Sequence, residues 1–300
     1  MASYAPFTPS ASPVKTSVLT LVRGRQAQLD NFVRALCRQT DPAFELVIAS
    51  MQSEPPAVEN DLPFPVRVVT VGGDSLPLAQ ARNSAAEAAR GELLIFLDVD
   101  CIAAPGLVAH YARMLSCHDL CLMGDVRYLP ADAPVSECDY PVLQRLAIRH
   151  PARPVLCGNE LRHEDNPRAL WGLSFALRRR RFFEANGFNA DFCGYGGEET
   201  DFAMRLALID TRFAWAAGAR SLHQWHPISR PPLEHFSAII ANAQRFHAAW
   251  GSWCLEYWLE AFVQMRLIEW SIDARRISLL REPTSHELAH AFDEGSSKVF

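Results

Sequence analysis

The chain contains no window of eighteen or so consecutive apolar residues, so no segment is expected to cross a bilayer as a helix. It opens without a charged-then-apolar leader pattern. The stretch "MASYAPFTPSASPVKTS" is instead rich in Pro and Ser, and residues 1–14 are expected to form a loose, disordered tail. No long block of one charge sign occurs. The 34 acidic and 29 basic residues are dispersed, the formal net charge is −5, and nucleic acid is not an expected partner. The densest basic run, Arg178 to Arg181, reads as a solvated face at a helix start. The eight cysteines are scattered, and the close pair Cys117 and Cys121 lacks the second pair of a zinc clip. Reduced thiols in a cytoplasmic protein are the simplest consequence. There is no internal repeat and no low-complexity segment past the tail.

What is present is an alternation of strand and helix patterns. "SVLTLV" from Ser17 reads as a buried strand, and "QAQLDNFVRALCRQ" follows with Leu29, Phe32, Val33 and Leu36 at helical spacing. "FELVIAS" (44–50) and "VRVVTV" (66–71) have the continuous apolar character of parallel strands, separated by the Pro-rich loop "EPPAVENDLPFP". "PLAQARNSAAEAARG" (77–91) predicts a helix closed by Gly91, leading into the strand "ELLIFL" (92–97). This order defines an α/β doubly wound sheet, whose ligands bind beyond the carboxyl ends of the strands. A helix at "APGLVAHYARMLS" follows, and the pattern weakens over 130–168, read as a mobile loop. Order returns at "WGLSFALRRRRFFEANGF" and runs to "SLHQWHP" (221–227). Beyond Pro231 only a long helical pattern is expected, giving a tail (1–14), a main domain (15–230) and a helical C-terminal extension (231–300).

Three clusters carry chemistry. In "FLDVDC" an apolar strand ends in two carboxylates, and extended geometry would point Asp98 and Asp100 to one face and Val99 into the core. Paired carboxylates repel unless a cation lies near them, and a hard divalent cation suits oxygen ligands together with substrate phosphates. His223 and His226, three apart at a strand end, could share one metal with a carboxylate. In "GYGGEETD" the glycines around Tyr195 permit close backbone approach, and Glu198, Glu199 and Asp201 follow at a helix start. Each cluster alone also fits a plainer role: a polar turn, half-buried histidines, or acidic residues favoured by a helix dipole.

In this order the three clusters resemble the glycosyltransferases of the GT-A fold, over residues 17–227. The nearest likeness is to the β-1,4-galactosyltransferase and chondroitin-polymerase type and to the bacterial family 2 enzymes that share their C-terminal motif. The resemblance implies a Rossmann-like mixed sheet flanked by helices. It implies that Arg23 and Arg25 of "LVRGRQAQL" hold the nucleotide, that Arg82 and Asn83 face the nucleoside, and that Asp98 and Val99 contact the donor. Asp100 becomes a ligand of Mn²⁺ or Mg²⁺, joined by His226 in preference to His223. Trp171, Tyr195, Gly196 and Gly197 form the donor and acceptor cradle. Glu199 stands where the family commonly has Asp as the base, with Glu198 or Asp201 able to share the role, and the loop at about 150–168 closes over the donor. The implied reaction moves a sugar (Gal, GalNAc, Glc or GlcNAc) from a UDP-sugar to a hydroxyl of a saccharide, lipid-linked or peptide acceptor, with inversion. Alternatives in view are a retaining enzyme like the polypeptide N-acetylgalactosaminyltransferases, a sugar-nucleotide pyrophosphorylase, and a non-catalytic sugar-binding relative. "LVRGRQAQ" holds one glycine where a pyrophosphorylase needs a glycine-rich loop. Trp250, Trp253, Trp258 and Trp270 of the extension are expected to pack back on the domain or form a homodimer face; a peripheral contact at the inner face of the membrane is the other reading.

Overall fold

A computed structural model describes residues 14–72, 76–137 and 139–296, so the expected tail lies outside the described residues apart from Val14. The chain runs β1 (Thr16–Val22), α1 (Gln26–Leu36), β2 (Glu45–Ser50), β3 (Val66–Thr70), α2 (Leu78–Ala88), β4 (Leu93–Leu97), β5 (Cys101–Ala103), α3 (Leu107–Cys117) and β6 (Leu120–Tyr128). It continues through α4 (Tyr140–Leu146), β7 (Ile148–Arg149), β8 (Leu161–Glu164), β9 (Ser174–Arg178), α5 (Arg179–Glu184), α6 (Glu198–Leu208) and β10 (Arg212–His223). The extension holds α7 (Phe236–Trp250), α8 (Glu256–Gln264), the short strands β11 (Ile268–Glu269) and β12 (Ser278–Leu279), and α9 (Ser285–Ser296).

The main sheet has the order β3-β2-β1-β4-β9-β6-β10-β5, with β7 on β6 and β8 on β10. Strands β3, β2, β1 and β4 are mutually parallel, and β9 lies antiparallel between β4 and β6. The continuous apolar runs of β2 and β4 are explained by burial of every residue in both. Side chains on one face join a core with α1 and α3, and those on the other join a core with α2 and α6. Both faces are therefore covered, as a parallel sheet requires.

Three expectations need correction. The segment at 150–168 is not wholly a loop, because Leu161–Glu164 forms β8 and pairs with β10 from Phe213↔Glu164 to Ala216↔Leu161. The long helical pattern after Pro231 is broken where Gly251 (φ 66°) and Leu255 (φ 61°) adopt left-handed conformations, and the β11–β12 hairpin follows α8. The basic run at 178–181 is not simply solvated: Arg178, Arg180 and Arg181 converge on Asp119, with Arg181 Nη2 at 2.9 Å.

Helices α7 and α8 build a third core that takes in Phe192 and the half-buried Tyr195 and Met204 of the main domain. Trp253 is buried, Trp250 and Trp258 pack against this core, and Trp270 lies edge-on to Trp253 at 5.9 Å. Among the described residues no helix is long and apolar enough to cross a membrane.

Candidate active site

The parallel strands deliver their carboxyl ends to one edge of the sheet. Beyond β1, Gly24 takes a left-handed φ of 65° and donates its N–H to Gln52 Oε1 at 2.6 Å, which turns the chain sharply. Arg25 thereby points back across the sheet end and pairs through Nη1 with Asp100 Oδ2. Arg23 stays on the exposed side of the turn. Between the ends of β1 and β4 lies a cleft lined by Thr20, Leu21, Arg82, Phe96, Asp98 and Gly172.

Asp98 and Asp100 are not on an extended strand. β4 ends at Leu97, and a turn closed by Cys101 N–H donating to the Asp98 carbonyl at 2.9 Å carries both carboxylates. Burial, reinforced by the Asp100 charge, pushes the Asp98 carboxyl up to about 6, with Arg25 and Arg82 opposing. Val99 is 3% exposed and packed in the core, which leaves only its backbone to face a ligand.

The histidines reach Asp100 through strand pairing. β10 runs antiparallel to β5 with His223 opposite Cys101, and Gln224 N–H extends the ladder to the Asp100 carbonyl at 2.7 Å. The ligand atoms of Asp100, His223 and His226 consequently lie within 4.8 Å of one another. His226 Nε2 is 3.6 Å from Asp100 Oδ2, and its Nδ1 meets the Pro227 carbonyl at 3.1 Å. That contact suits the Nδ1–H tautomer, which leaves the Nε2 lone pair directed at the carboxylate. Burial pushes His223 down to about 4 and lowers His226 too, so both rings are neutral donors near pH 7. Asp100 Oδ1 is buried without a hydrogen-bond partner. One carboxylate and two neutral imidazoles around an unsatisfied oxygen form a donor set suited to a divalent cation, Mn²⁺ more than the oxygen-preferring Mg²⁺.

On the other side of the cleft, Gly194, Gly196 and Gly197 all have left-handed φ (76°, 92° and 90°), and the chain then enters α6. The acidic cluster at the start of α6 divides by burial. Glu198 is 2% exposed and accepts from Arg82 Nη1 at 2.9 Å. Asp201 is 3% exposed and held by Arg205 Nε at 2.8 Å and Trp250 Nε1 at 3.0 Å. Both expected sharers of the base role are thus committed to buried partners. Glu199 keeps a partly exposed side chain, 4.0 Å from Arg82 Nη2, and accepts the Gly172 N–H at 3.4 Å. Burial, reinforced by the Glu198 charge, pushes its carboxyl up to about 8.

Two residues expected at the nucleoside have other partners. Arg82 is buried between Glu198 and the Phe188 ring, 5.0 Å away. Asn83 spends its amide on Phe188, donating to the carbonyl at 2.8 Å and accepting the N–H at 2.7 Å. Tyr195 stacks on His235 at 4.7 Å and lies 5.5 Å from Trp258.

Several residues of the site escaped the sequence reading. A ring-to-ring path joins His226 to His223 (5.4 Å), Tyr128 (5.0 Å), His150 (5.9 Å) and Trp171 (5.1 Å). The Arg153 guanidinium lies 3.3 Å over Trp171. Gln224, 2% exposed, accepts from Asn31 Nδ2 at 2.7 Å and so ties the histidine segment to α1. Its polarity between two histidines was the available signal; Tyr128, His150 and Arg153 carried none.

Fold and site together define a mixed α/β protein with a cluster of candidate cation ligands, Asp100, His223 and His226, at the carboxyl edge of its sheet and a carboxyl of raised pKa, Glu199, at the start of α6. Residues 17–128 match the family model "Glycosyl transferase family 2", and residues 153–234 match "N-terminal domain of galactosyltransferase". Over these two stretches the chain is similar to family 2-like glycosyltransferases of the GT-A fold. It is 26% identical over 279 residues to the validoxylamine A glucosyltransferase of Streptomyces hygroscopicus subsp. limoneus, covering 82% of this chain and 59% of that one. The chain therefore spans less than two thirds of that relative. Among solved structures, GalNAc-T7 with UDP, GalNAc and Mn²⁺ superposes with a TM-score of 0.53 at 17% identity, covering 79% of this chain and 51% of the other. The Pyrobaculum calidifontis mannosyltransferase PcManGT, in complex with GDP-Man and Mn²⁺, gives 0.50 at 14% identity, covering 81% and 66%. These likenesses establish the fold.

Proposed function

We propose that the protein transfers a hexose from a UDP-sugar to an acceptor hydroxyl with inversion, in a reaction that depends on a divalent cation. The observation that carries the reading is the convergence of Asp100, His223 and His226 within 4.8 Å at the carboxyl edge of the sheet. Asp100, His226 and His223 would hold Mn²⁺ or Mg²⁺, which when bound supplies positive charge against the diphosphate of the leaving nucleotide. The two neighbours solved with Mn²⁺ support that choice.

The side chains divide the remaining work. Arg25, bound to Asp100 and still partly exposed, offers a guanidinium to phosphate oxygens, and Arg23 flanks the same turn. Asp98 lines the small hollow between the ends of β1 and β4, at the sheet edge where the nucleotide is proposed to bind. Arg82 and Asn83 act one layer back: Arg82 holds Glu198, and Asn83 holds the backbone at Phe188. Glu199 takes the proton from the acceptor hydroxyl; a carboxyl pushed up to about 8 is a stronger base than an ordinary glutamate. Gly172 N–H orients it, while Trp171 and Tyr195 supply flat apolar faces to sugars. Proton removal by one carboxylate and departure of the nucleotide in a single displacement inverts the anomeric centre.

The test is turnover of a panel of nucleotide sugars with Mn²⁺ or Mg²⁺ by the wild type and Asp100→Ala. Loss of all metal-dependent turnover is expected, by roughly 10³-fold or more, with unchanged circular dichroism. Undiminished turnover in the variant would remove the reading. Proton NMR of the product's anomeric signal tests inversion.

A further inference from the structure

The loop that leads to Glu199 is built for mobility and held for immobility. Gly194, Gly196 and Gly197 all take left-handed φ, a conformation only glycine adopts freely, and such a run has much backbone entropy to lose. Three of its carbonyls are met by one buried side chain. Asn242, on α7 and 1% exposed, donates Nδ2 to the Cys193 carbonyl at 3.0 Å and the Gly196 carbonyl at 2.9 Å, with the Tyr195 carbonyl at 3.5 Å. Its Oδ1 accepts from Arg245 Nη1 at 3.3 Å, which fixes the amide's orientation. The same extension braces the loop from outside: a Cβ on Gly196 would lie 3.1 Å from Leu255 and 3.2 Å from Trp258. Directly after Gly197 the chain enters α6 at Glu198 and Glu199.

We infer that Asn242 is a positioning residue for the reaction: by pinning the Cys193–Gly196 carbonyls it sets where Tyr195 and Glu199 stand. The inference rests on the reading of Glu199 as the base. It makes the C-terminal extension part of the catalytic apparatus although no residue of α7 reaches the cation ligands. These hydrogen bonds offset the entropy lost in ordering the glycine loop, and their loss is felt at the base, where a displacement of ~1 Å lowers rate steeply.

The experiment uses the full chain. Asn242→Asp keeps the shape but replaces the donor with an acceptor facing carbonyls, and Asn242→Ser is a milder variant should the first fail to fold. Phe246→Leu, one turn along α7 and in the third core, is the packing control. The expected result is a kcat lowered roughly 10- to 100-fold in both Asn242 variants with the UDP dissociation constant within twofold of wild type. Phe246→Leu should lower the melting temperature alone. In a Glu199→Gln background the Asn242 substitutions should cost less than twofold further in kcat, since the group they position is already gone. Wild-type kcat in a folded Asn242 variant, or a full additional loss in the Glu199→Gln background, overturns the inference. Wild-type kcat in Glu199→Gln by itself overturns the base assignment beneath it, and the single variant tells the two failures apart.

Discussion

The half of the sheet made by β3, β2, β1 and β4 and the half made by β9, β6, β10 and β5 reach the same cleft by different physical means. The first is parallel, with every residue of β2 and β4 buried, and it presents its polar side chains on short turns fixed by backbone geometry: Gly24 beyond β1 and the Asp98–Asp100 turn beyond β4. The second is mixed in direction, and Glu199 stands in the first turn of α6, directly after a glycine loop whose link to a strand-like partner among the described residues is the Pro77↔Gly194 bridge. That loop is held by side chains, Asn242 and Trp258 among them, from an extension outside the sheet. On the proposed function, a rigid cradle would hold the nucleotide and a separately braced wall the acceptor, so that one side can vary while the other is kept. Arg82 on α2, buried against Glu198 on α6, ties them through charge.

The comparison can be broken most forcefully at Glu199. Glu199→Gln should lower kcat by roughly 10²- to 10⁴-fold while leaving UDP affinity near wild type. Equal losses in both would show that the two walls are not separable. Arg82→Ala strikes the tie itself: it strands the Glu198 carboxylate in the interior, and urea unfolding should show a loss of about 3–5 kcal/mol. The protonation states give a third handle. Asp98 and Glu199 have folded-state values of about 6 and about 8 against ordinary values of 3.8 and 4.5, so the folded chain keeps protons that the unfolded chain releases. Stability should therefore fall as pH rises from about 4 to about 8 and level off above. Over the same range kcat/KM should climb as Glu199 ionises, and Glu199→Gln should abolish that rise and flatten the upper part of the stability slope; melting curves and rates from pH 4 to 9 measure both. The smallest effect is expected at Gln52→Ala, which removes the acceptor for Gly24 N–H at an exposed turn. A loss of roughly 0.5–1.5 kcal/mol in UDP binding, seen by calorimetry, with kcat unchanged would place the turn wholly on the nucleotide side.

The same contrast explains what could be read from residues alone. β1, α1, β2, β3, α2 and β4 follow from apolar periodicity because each is long enough to show it. β5, β7 and β8 are too short for any pattern. β6 was not assigned, and Gly124 in its middle interrupts the apolar run; the structure uses that glycine because a Cβ would meet Tyr111, Ser174 and the Ala219 carbonyl at 2.6–2.7 Å. At the site, residue types pointed to Asp100, His223 and His226, which the fold brings within 4.8 Å of one another, and to Glu199 at the start of α6. The division within "EETD" was not visible, since it depends on Arg82 and Arg205 arriving from elsewhere in space. Nor was the turn at Asp98–Asp100, which a run of β-formers disguises as an extended strand. Asn83 illustrates the limit: its place beside Arg82 suggested a ligand contact, whereas both ends of its amide are taken by Phe188.

The pairing of β10 with β5 and the Asn31–Gln224 bond, which spans 193 residues, also order the protein's birth. The Asp98–Asp100 turn leaves the ribosome early, with its carboxylates uncompensated by any histidine. The candidate cation ligands become a set only after the chain has been made through His226, and the glycine loop is braced only after α7 follows. Contacts of such high sequence separation form late and slowly. A chain ended before His223 lacks two of the three candidate cation ligands, and one ended before α7 lacks the side chain that holds the glycine loop.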